Sequence, residues 1–492
     1  MEENSYPIPK APFFPSGKRE FIFGLLILIC GWLLCNSVFY GGFSLGFALF
    51  SIAALLCVIL YLLFSGKRPS VYAACLLILS FLMLAGFARS DDGFVKFVLF
   101  WFVAAGSNLG LCLLASQNRR RPAYVSSLAD IFRTIFVLGL GQLPPAFQGL
   151  SLGLRSNGSK KGGAVLAGLL IAVPVLTILI PLLTSADAAF DALVGLLPQW
   201  EWQEWAVSIL FGSMLAVFFY TRAAALQHAP KAPAPVPVQR KGVPTLTVHT
   251  ALIAVCFVYC VYLISQLAYF VGGFSGILPE DYTLAEYARR GFFEMAWLCA
   301  INLFIICLAT SLIRKRSNKT RLLCLFLGVM TLFLVCTASA KMLLYIGAYG
   351  LTRLRVLTEV IMVWLGLVTV FVIIWLFVPQ MPYMKAVFLS AMLLGSLVLW
   401  ADVDTVVARY NVNAYQTGKL ATVDIEHLAS LGNGAIPYLA QLTNDPDPKI
   451  AEEAKNRLEH RYFDTIDDFR EWNYVNHIAA DYLPTEEAEF LT

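Results

Sequence analysis

The residues of this sequence that could carry out chemistry are charged side chains at the ends of long apolar segments. Arg290 and Glu294 stand four positions apart, and Arg355 and Glu359 repeat that spacing. Residues four positions apart share one face of a helix, so each pair could neutralise itself along its own helix. Because ionisable groups inside a membrane are costly, they are usually paired or functional. These four residues are therefore candidates for a polar site.

Two further cations extend this candidate site. Lys341 and Arg353 have no acidic residue three or four positions away. The complete predicted polar cluster consists of Arg290, Glu294, Lys341, Arg353, Arg355 and Glu359. Such a cluster could bind an anionic or zwitterionic group. The alternative is an ion-pair network that docks a loop and the tail onto a helix bundle, and the lack of a nucleophile beside a base favours this alternative.

The cysteines and histidines predict no further chemistry. All eleven cysteines lie in apolar runs, without histidines at metal-ligand spacing. They are expected to be small buried hydrophobic residues. His427, His460 and His477 are scattered and are expected at the surface. We therefore predict no catalytic residue, no metal and no cofactor, and we do not expect an enzyme.

The composition identifies the environment that holds these residues. The chain has 492 residues, of which 59% are hydrophobic and 14% charged, with a mean hydropathy of +0.71. Soluble domains carry roughly 25% charged residues, so the lipid bilayer is the predicted surrounding. About 20 apolar residues span a bilayer. The predicted spans are 21–40, 43–64, 71–88, 94–115, 164–183, 204–221, 248–270, 291–312, 322–345, 355–378 and 384–401. The predicted fold is an all-α polytopic bundle of about eleven spans with a small C-terminal helical tail.

The distribution of Lys and Arg predicts the orientation. With the N-terminus in the cytoplasm, 22 basic residues fall on the inner side and 7 on the outer side. Cytoplasmic loops carry an excess of Lys and Arg. Eleven spans then place the C-terminus outside a bacterial plasma membrane. The tail has a net charge of −10, which is compatible with that location.

Changes in composition along the chain predict its organisation. A segment rich in Pro, Ala and Val reads as an extended connector. The predicted regions are a first membrane half (1–228), a Pro-rich linker (229–247), a second membrane half (248–401) and an acidic helical tail (402–492). Amphipathic stretches at 125–138 and 186–198 fit helices in the membrane interface or helices packed on the bundle. The tail or the Pro-rich segment could bind a protein partner. The short basic loops are explained by topology, so no nucleic acid is expected.

The tail contains signals for helices and for docking. Asp447 followed by Pro448 predicts the start of a helix to about residue 463, and residues 435–442 predict another. Val406, Val407 and Tyr410 recur at helical spacing and predict a face that presses onto the bundle. The tail-motif residues are Asp404, Arg409, Tyr410 and Asn411. We expect Arg409 or its neighbouring acids to contact the loop before the eighth span or the start of the tenth.

Three passages carry a resemblance to a known family. They are Leu278 to Leu303 (LPEDYTLAEYARRGFFEMAWLCAINL), Tyr349 to Gly366 (YGLTRLRVLTEVIMVWLG), and Asp402 to Leu439, with D-x-D-T-V-V-A-R-Y-N-V-N-x-Y, Gly418-Lys419, Val423-Asp424, His427-Leu428 and Ala435-Ile436-Pro437. Together they resemble the bacterial membrane proteins grouped as domain of unknown function family 4173, with its sister family 4153. That family's tail motif usually opens with Asn-Pro-Asp, whereas this chain has Asp402-Val403-Asp404. The resemblance implies a cell-envelope membrane protein and assigns no activity.

Three functions from different classes remain open. An envelope sensing, binding or regulatory protein would use the outer polar cluster and the tail as its receptor surface, and the absence of visible chemistry favours it. A transporter of a small anionic or zwitterionic solute is the alternative, although the first half has few intramembrane charges. A polytopic transferase is the third, and it would require a carboxylate or His base beside its substrate.

Overall fold

The computed structural model describes residues 18–115, 202–228, 243–274, 292–313, 317–461 and 468–483, together with single positions and short stretches between 172 and 190. The chain forms two compact units. The first consists of residues 1–120, 125–234 and 462–492, and the second of residues 121–124 and 235–461. The tail, treated as one region in the sequence, is thus divided between the two units.

The described residues form helices and turns, without a strand. In the first unit the helices are α1 (Lys18–Gly41), α2 (Leu45–Phe64), α3 (Val71–Gly86), α4 (Gly93–Leu114) and α5 (Trp202–His228). The long helices of the second unit are α6 (Thr245–Phe274), α7 (Phe292–Leu312), α8 (Asn318–Tyr349), α9 (Arg353–Phe377) and α10 (Tyr383–Ala401). Its tail helices are α11 (Val403–Gln416), α12 (Ile425–Ser430), α13 (Ile436–Leu442) and α14 (Pro448–Glu459). The final helix, α15 (Tyr474–Ala480), returns to the first unit.

Among the described residues, nine helices are long and apolar enough to cross a membrane. The third predicted span forms α3, which has 16 residues and is therefore shorter than these nine. Most of the predicted span 164–183 lies outside the described residues, as do the amphipathic stretch 125–138 and most of 186–198 and of the Pro-rich linker. The predicted all-α polytopic bundle is confirmed, with nine such helices described rather than eleven.

Polar residues begin several of these helices. The side chain of Ser70 accepts a hydrogen bond from the backbone N–H of Ala73 at 3.2 Å, and that of Asp92 accepts from Val95 at 3.0 Å. Each such bond satisfies a backbone N–H group that has no partner inside the helix. The predicted tail start is confirmed, because Asp447 caps α14 and Pro448 is its first residue.

Small residues bring α1 and α5 together in the first unit. A Cβ atom added to Gly31 would lie 2.5 Å from the carbonyl oxygen of Gly212, so the two backbones touch where these glycines meet. Beside this crossing, Trp32 Nε1 donates to Ser213 Oγ at 2.8 Å. Close approach at glycine and hydrogen bonding by serine are common ways for helices to associate in lipid.

In the second unit, a chain of polar side chains joins α6, α7 and α8. Tyr259 donates to Asn302 Oδ1 at 2.8 Å, and Asn302 Nδ2 donates to Thr331 Oγ1 at 3.1 Å. The Asn302 and Thr331 side chains are almost fully buried. Because each polar group in this chain has a partner, it stabilises the bundle without leaving an unsatisfied group in lipid.

The tail helices of the second unit pack around a small apolar core. Its buried members include Ile425, Leu428, Ile436, Leu439, Leu442, Ala454 and Leu458. Helix α11 contacts both α9 and α10, and α12–α14 pack on one another and, through α13, on α11. A core of this size provides limited stability by itself. The polar contacts between α11 and the membrane helices therefore matter for holding the tail.

Candidate functional site

An ion pair with a buried carboxylate attaches α11 to the first residue of α9. The guanidinium of Arg353 binds both carboxylate oxygens of Asp404, using Nε and Nη2. Only 2% of the Asp404 side chain is exposed, whereas 42% of the Arg353 side chain is. The same carboxylate accepts a hydrogen bond from the backbone N–H of Gly432 at 2.7 Å. Asp404 therefore joins a membrane helix, α11 and the turn before α13.

A second contact, made by Asn411, lies about two turns further along α11. Oδ1 of Asn411 accepts from the backbone N–H of Leu351 at 2.6 Å, and its Nδ2 donates to the Leu351 carbonyl at 2.8 Å. The amide thus pairs with both backbone groups of one residue in the α8–α9 turn. Gly350 precedes that residue with a φ of +75°, and a Cβ atom there would lie 2.7 Å from Oδ1 of Asn411. A glycine is required by both the backbone angle and the close approach.

Arg355 binds the end of α8 and not Glu359. Its Nη1 donates to the carbonyl oxygens of Tyr349, at 3.2 Å, and of Gly350. Its guanidinium lies 4.1 Å from the centre of the Tyr345 ring. The predicted pair between Arg355 and Glu359 is wrong, because the C-terminal carbonyls of a helix carry unsatisfied acceptors and partial negative charge that attract a cation.

Asp402 forms the sharp junction between α10 and α11. It adopts a φ of +54° and caps α11, because its carboxylate accepts from the backbone N–H and the hydroxyl of Thr405 at 3.1 and 2.6 Å. Asp and Asn tolerate this backbone region better than most residues, and both are good caps. Asp402 therefore provides both the turn and the helix cap at this junction.

The face of α11 that docks differs from the predicted one. Arg409 and Tyr410 are exposed and Val406 is half-buried, and the loop before the eighth span lies outside the described residues. The buried residues of α11 are Val403, Asp404, Val407, Ala408, Asn411, Val412 and Ala414. The buried face includes two polar residues whose groups find partners, which apolar periodicity does not detect. The predicted contact between the neighbouring acids and the start of the tenth span is present as the Arg353–Asp404 pair.

The remaining predicted cluster residues do not join this site. Glu294 is exposed on α7, and Arg290 lies outside the described residues, so their pairing stays a prediction. Glu359 faces Ser339 of α8, and its Oε1 is buried without a hydrogen-bond partner among the described residues. Lys341 is half-buried on α8. We therefore define the tail clamp as Arg353, Asp404, Leu351 and Asn411.

A second polar cluster, which the sequence did not predict, lies in the first unit. Arg470 donates through Nη1 to Asn36 Oδ1 and Glu204 Oε2, at 2.9 Å each. It also pairs with the carboxylate of Asp468 and lies 5.6 Å from the centre of the Tyr40 ring. Only 15% of its side chain is exposed. This Arg470 cluster, made of Arg470, Asn36, Glu204 and Asp468, joins the C-terminal segment to α1 and α5.

Backbone contacts hold the same C-terminal segment to two more helix ends. The Trp472 carbonyl accepts from the backbone N–H of Leu45, and the Tyr474 N–H donates to the Ala88 carbonyl, both at 2.9 Å. The ends of α1 and α3 and the starts of α2 and α5 therefore meet one segment. The polar Asn36 within the first span, whose Nδ2 donates to Ser208 Oγ at 3.1 Å, was the one sequence signal for this cluster.

The two clusters are built for attachment. Each contains one arginine that pairs with a carboxylate. Each fixes a segment that follows the last span. Among the residues that the structure describes, no group of three or more His, Cys, Asp or Glu side chains could hold a metal ion. The chemistry that both clusters show is the pairing of an arginine with oxygen acceptors.

Comparison with known proteins identifies a family. The family model described as "Domain of unknown function (DUF4153)" matches residues 22–442. Because the match covers well over half of the chain, the chain belongs to this family. It supports the sister family 4153 of the resemblance and gives no support to family 4173 itself. No curated protein and no solved structure matches the chain.

Proposed function

We propose that this member of the DUF4153 family is a sensing or binding protein of the bacterial cell envelope, with tail helices α11–α14 as its receptor surface. The observation that carries the proposal is the ion pair between Arg353 and the buried carboxylate of Asp404. This pair attaches the tail to the first residue of a membrane-spanning helix. A ligand or partner that displaces the tail would therefore act directly on α9.

The charge of the tail indicates the chemistry of its partner. Residues 403–459, which form α11–α14, contain eight acidic and five basic residues and so carry a net charge of −3. Glu426, Glu452 and Glu453 are exposed on α12 and α14. A surface with an excess of negative charge attracts a partner of opposite charge and accelerates its encounter. A basic protein segment or a cationic ligand is thus the expected occupant.

The receptor surface must face outward, and its location can be tested directly. Ala480 is exposed at the end of α15, and Arg68 is exposed in the α2–α3 loop. Ala480→Cys should react with a membrane-impermeant maleimide in intact cells, because the basic loops predict a cytoplasmic N-terminus and an outer tail. Arg68→Cys should react only after lysis, and the unmodified chain supplies the background of its native cysteines. Labelling of Ala480→Cys only after lysis would contradict an outer receptor.

Binding to the tail can be tested by photocrosslinking. A photoreactive residue at Glu426 or Glu453 should give a defined adduct in intact cells, whereas the same residue at Arg68 should not give that adduct. Asp404→Asn should change the adduct yield, because it loosens the tail from α9. If neither tail position gives a defined adduct, the receptor surface is refuted.

A further inference from the structure

A buried arginine in the first unit is distinct from both attachment clusters. Arg222 lies in α5, six residues before the last residue of the helix, which corresponds to about 9 Å along the axis. Its exposed fraction is 9%. Nε and Nη2 are buried and have no hydrogen-bond partner among the described residues. The charged edge of this side chain therefore lies inside the protein without a protein acceptor in the described residues.

The tail clamp shows how the Nε and Nη2 atoms of an arginine bind an oxyanion. Arg353 uses Nε and Nη2 together to hold both oxygens of the Asp404 carboxylate. These two atoms form a planar fork that matches the spacing of two oxygens in a carboxylate or phosphate. Arg222 presents the same two atoms without an oxygen partner in the described part of the chain. Its geometry is that of an oxyanion-binding arginine.

The electrostatic surroundings of Arg222 require a negative group. Arginine remains charged in proteins, and a buried charge without a partner is strongly destabilising. Cys112 of α4 lies near Arg222, and its thiol is only a weak hydrogen-bonding group. No described carboxylate pairs with Arg222. A bound anion would supply the negative charge that the described residues do not place beside Arg222.

The position of Arg222 indicates where the anion comes from. The ring of neighbouring Tyr220 lies 5.6 Å from that of Phe23, near the start of α1. Arg19, at the same end of α1, donates to the Tyr61 carbonyl at 2.8 Å and to Ser65 Oγ at 2.9 Å. This end of the first unit thus holds two arginines, Arg19 at the start of α1 and Arg222 near the end of α5. Basic pockets between membrane helices bind phosphate-bearing headgroups.

We propose that Arg222 binds the phosphate group of an anionic ligand at this end of the first unit. The phosphate could belong to a phospholipid or to a soluble phosphate compound, since both present the same oxygens to the fork. This site is independent of the proposed receptor surface, because α5 contributes Arg222 without any tail residue.

The test measures ligand-dependent thermal stability of the full-length protein in detergent. The two probes are phosphatidylglycerol in mixed micelles and inorganic phosphate in buffer, compared with a non-ionic lipid and with chloride. At least one phosphate probe should raise the melting temperature of the unmodified protein. Arg222→Gln should weaken the apparent affinity at least tenfold, and Arg19→Gln, the matched variant at the same end, should weaken it much less. Stabilisation by the lipid alone identifies a headgroup site, and stabilisation by inorganic phosphate identifies a soluble ligand.

Arg222→Lys provides a second variant in case Arg222→Gln does not fold. Lysine keeps the charge but lacks the planar fork, so its affinity should also fall several-fold. If neither phosphate probe stabilises the unmodified protein, the site is refuted. Equal stabilisation of the unmodified protein and of the Arg222 variants would likewise overturn the proposal, since binding would then occur elsewhere.

Discussion

Both attachments of the C-terminal region pair an arginine with an acid, but the side that supplies the arginine differs between them. In the second unit, the arginine belongs to a membrane helix and the acid to the tail, and the partners Arg353 and Asp404 are 51 positions apart. In the first unit, the arginine belongs to the C-terminal segment, and Arg470 reaches Glu204 and Asn36 across 266 and 434 positions. The chain thus secures a tail with a small core by placing one arginine, paired with a carboxylate, at each point of attachment.

The largest effect should follow from removing the acid of the tail clamp. Asp404→Ala leaves the Gly432 N–H and part of the Arg353 guanidinium without their acceptor. Hydrogen bonds to charged groups contribute roughly 1.5–3 kcal/mol each, and the partial exposure of Arg353 lowers this cost. We expect a loss of about 2–3 kcal/mol in the free energy of unfolding, measured by denaturation in detergent. A loss below about 0.5 kcal/mol, the range of ordinary surface substitutions, would show that the clamp does not hold the tail.

Removal of Arg470 should have the next largest effect, with a local outcome. Arg470→Gln abolishes the ion pairs to Glu204 and Asp468, so residues 468–483 should detach from the first unit. We expect a destabilisation of about 2 kcal/mol and faster amide hydrogen exchange in α15, while α11 remains protected. Equal acceleration of exchange in α11 would show that the two attachments are not separate.

A smaller effect should result from adding a methyl group at the Arg470 cluster. A Cβ atom at Gly41 would lie 2.5 Å from the backbone carbonyl of Arg470, whereas a Cβ atom at Gly93 would meet nothing within 4 Å. Gly41→Ala should therefore displace the C-terminal segment and cost about 1 kcal/mol, at the lower end of the usual cost of overpacking. Gly93→Ala is the matched control and should leave stability unchanged or slightly higher. Proteolysis of the segment would distinguish the two variants, and equal resistance would contradict the close approach.

The membrane helices could largely be predicted from the sequence, because the bilayer fixes their length and their apolar character. The sixth span was predicted over 204–221 and is shorter than the helix. The helix instead continues to His228 with Arg222 buried. The start of α14 was predicted correctly because Asp447 and Pro448 act locally.

The candidate sites depended on long-range partners and were harder to predict. Apolar periodicity placed Tyr410 on the docking face of α11, although Asp404 and Asn411 occupy that face with Arg353 and Leu351 as their partners. A polar residue can be buried when its groups are paired, and a pattern within one helix does not show a partner elsewhere. For the same reason, spacing four positions apart predicted an Arg355–Glu359 pair that does not form.

The most direct test of the central claim, that Arg353 and Asp404 fix the tail to α9, is a double-mutant cycle on unfolding in detergent. Arg353→Gln, Asp404→Asn and the double variant isolate the pairwise energy, because neighbouring groups that interact are not additive. The control cycle uses Arg457 and Glu426, whose exposed side chains are 3.9 Å apart. We expect a coupling energy of at least about 1.5 kcal/mol for the clamp and about 0–0.5 kcal/mol for the control. Additive losses at Arg353 and Asp404, with a coupling no larger than that of the control, would contradict this claim.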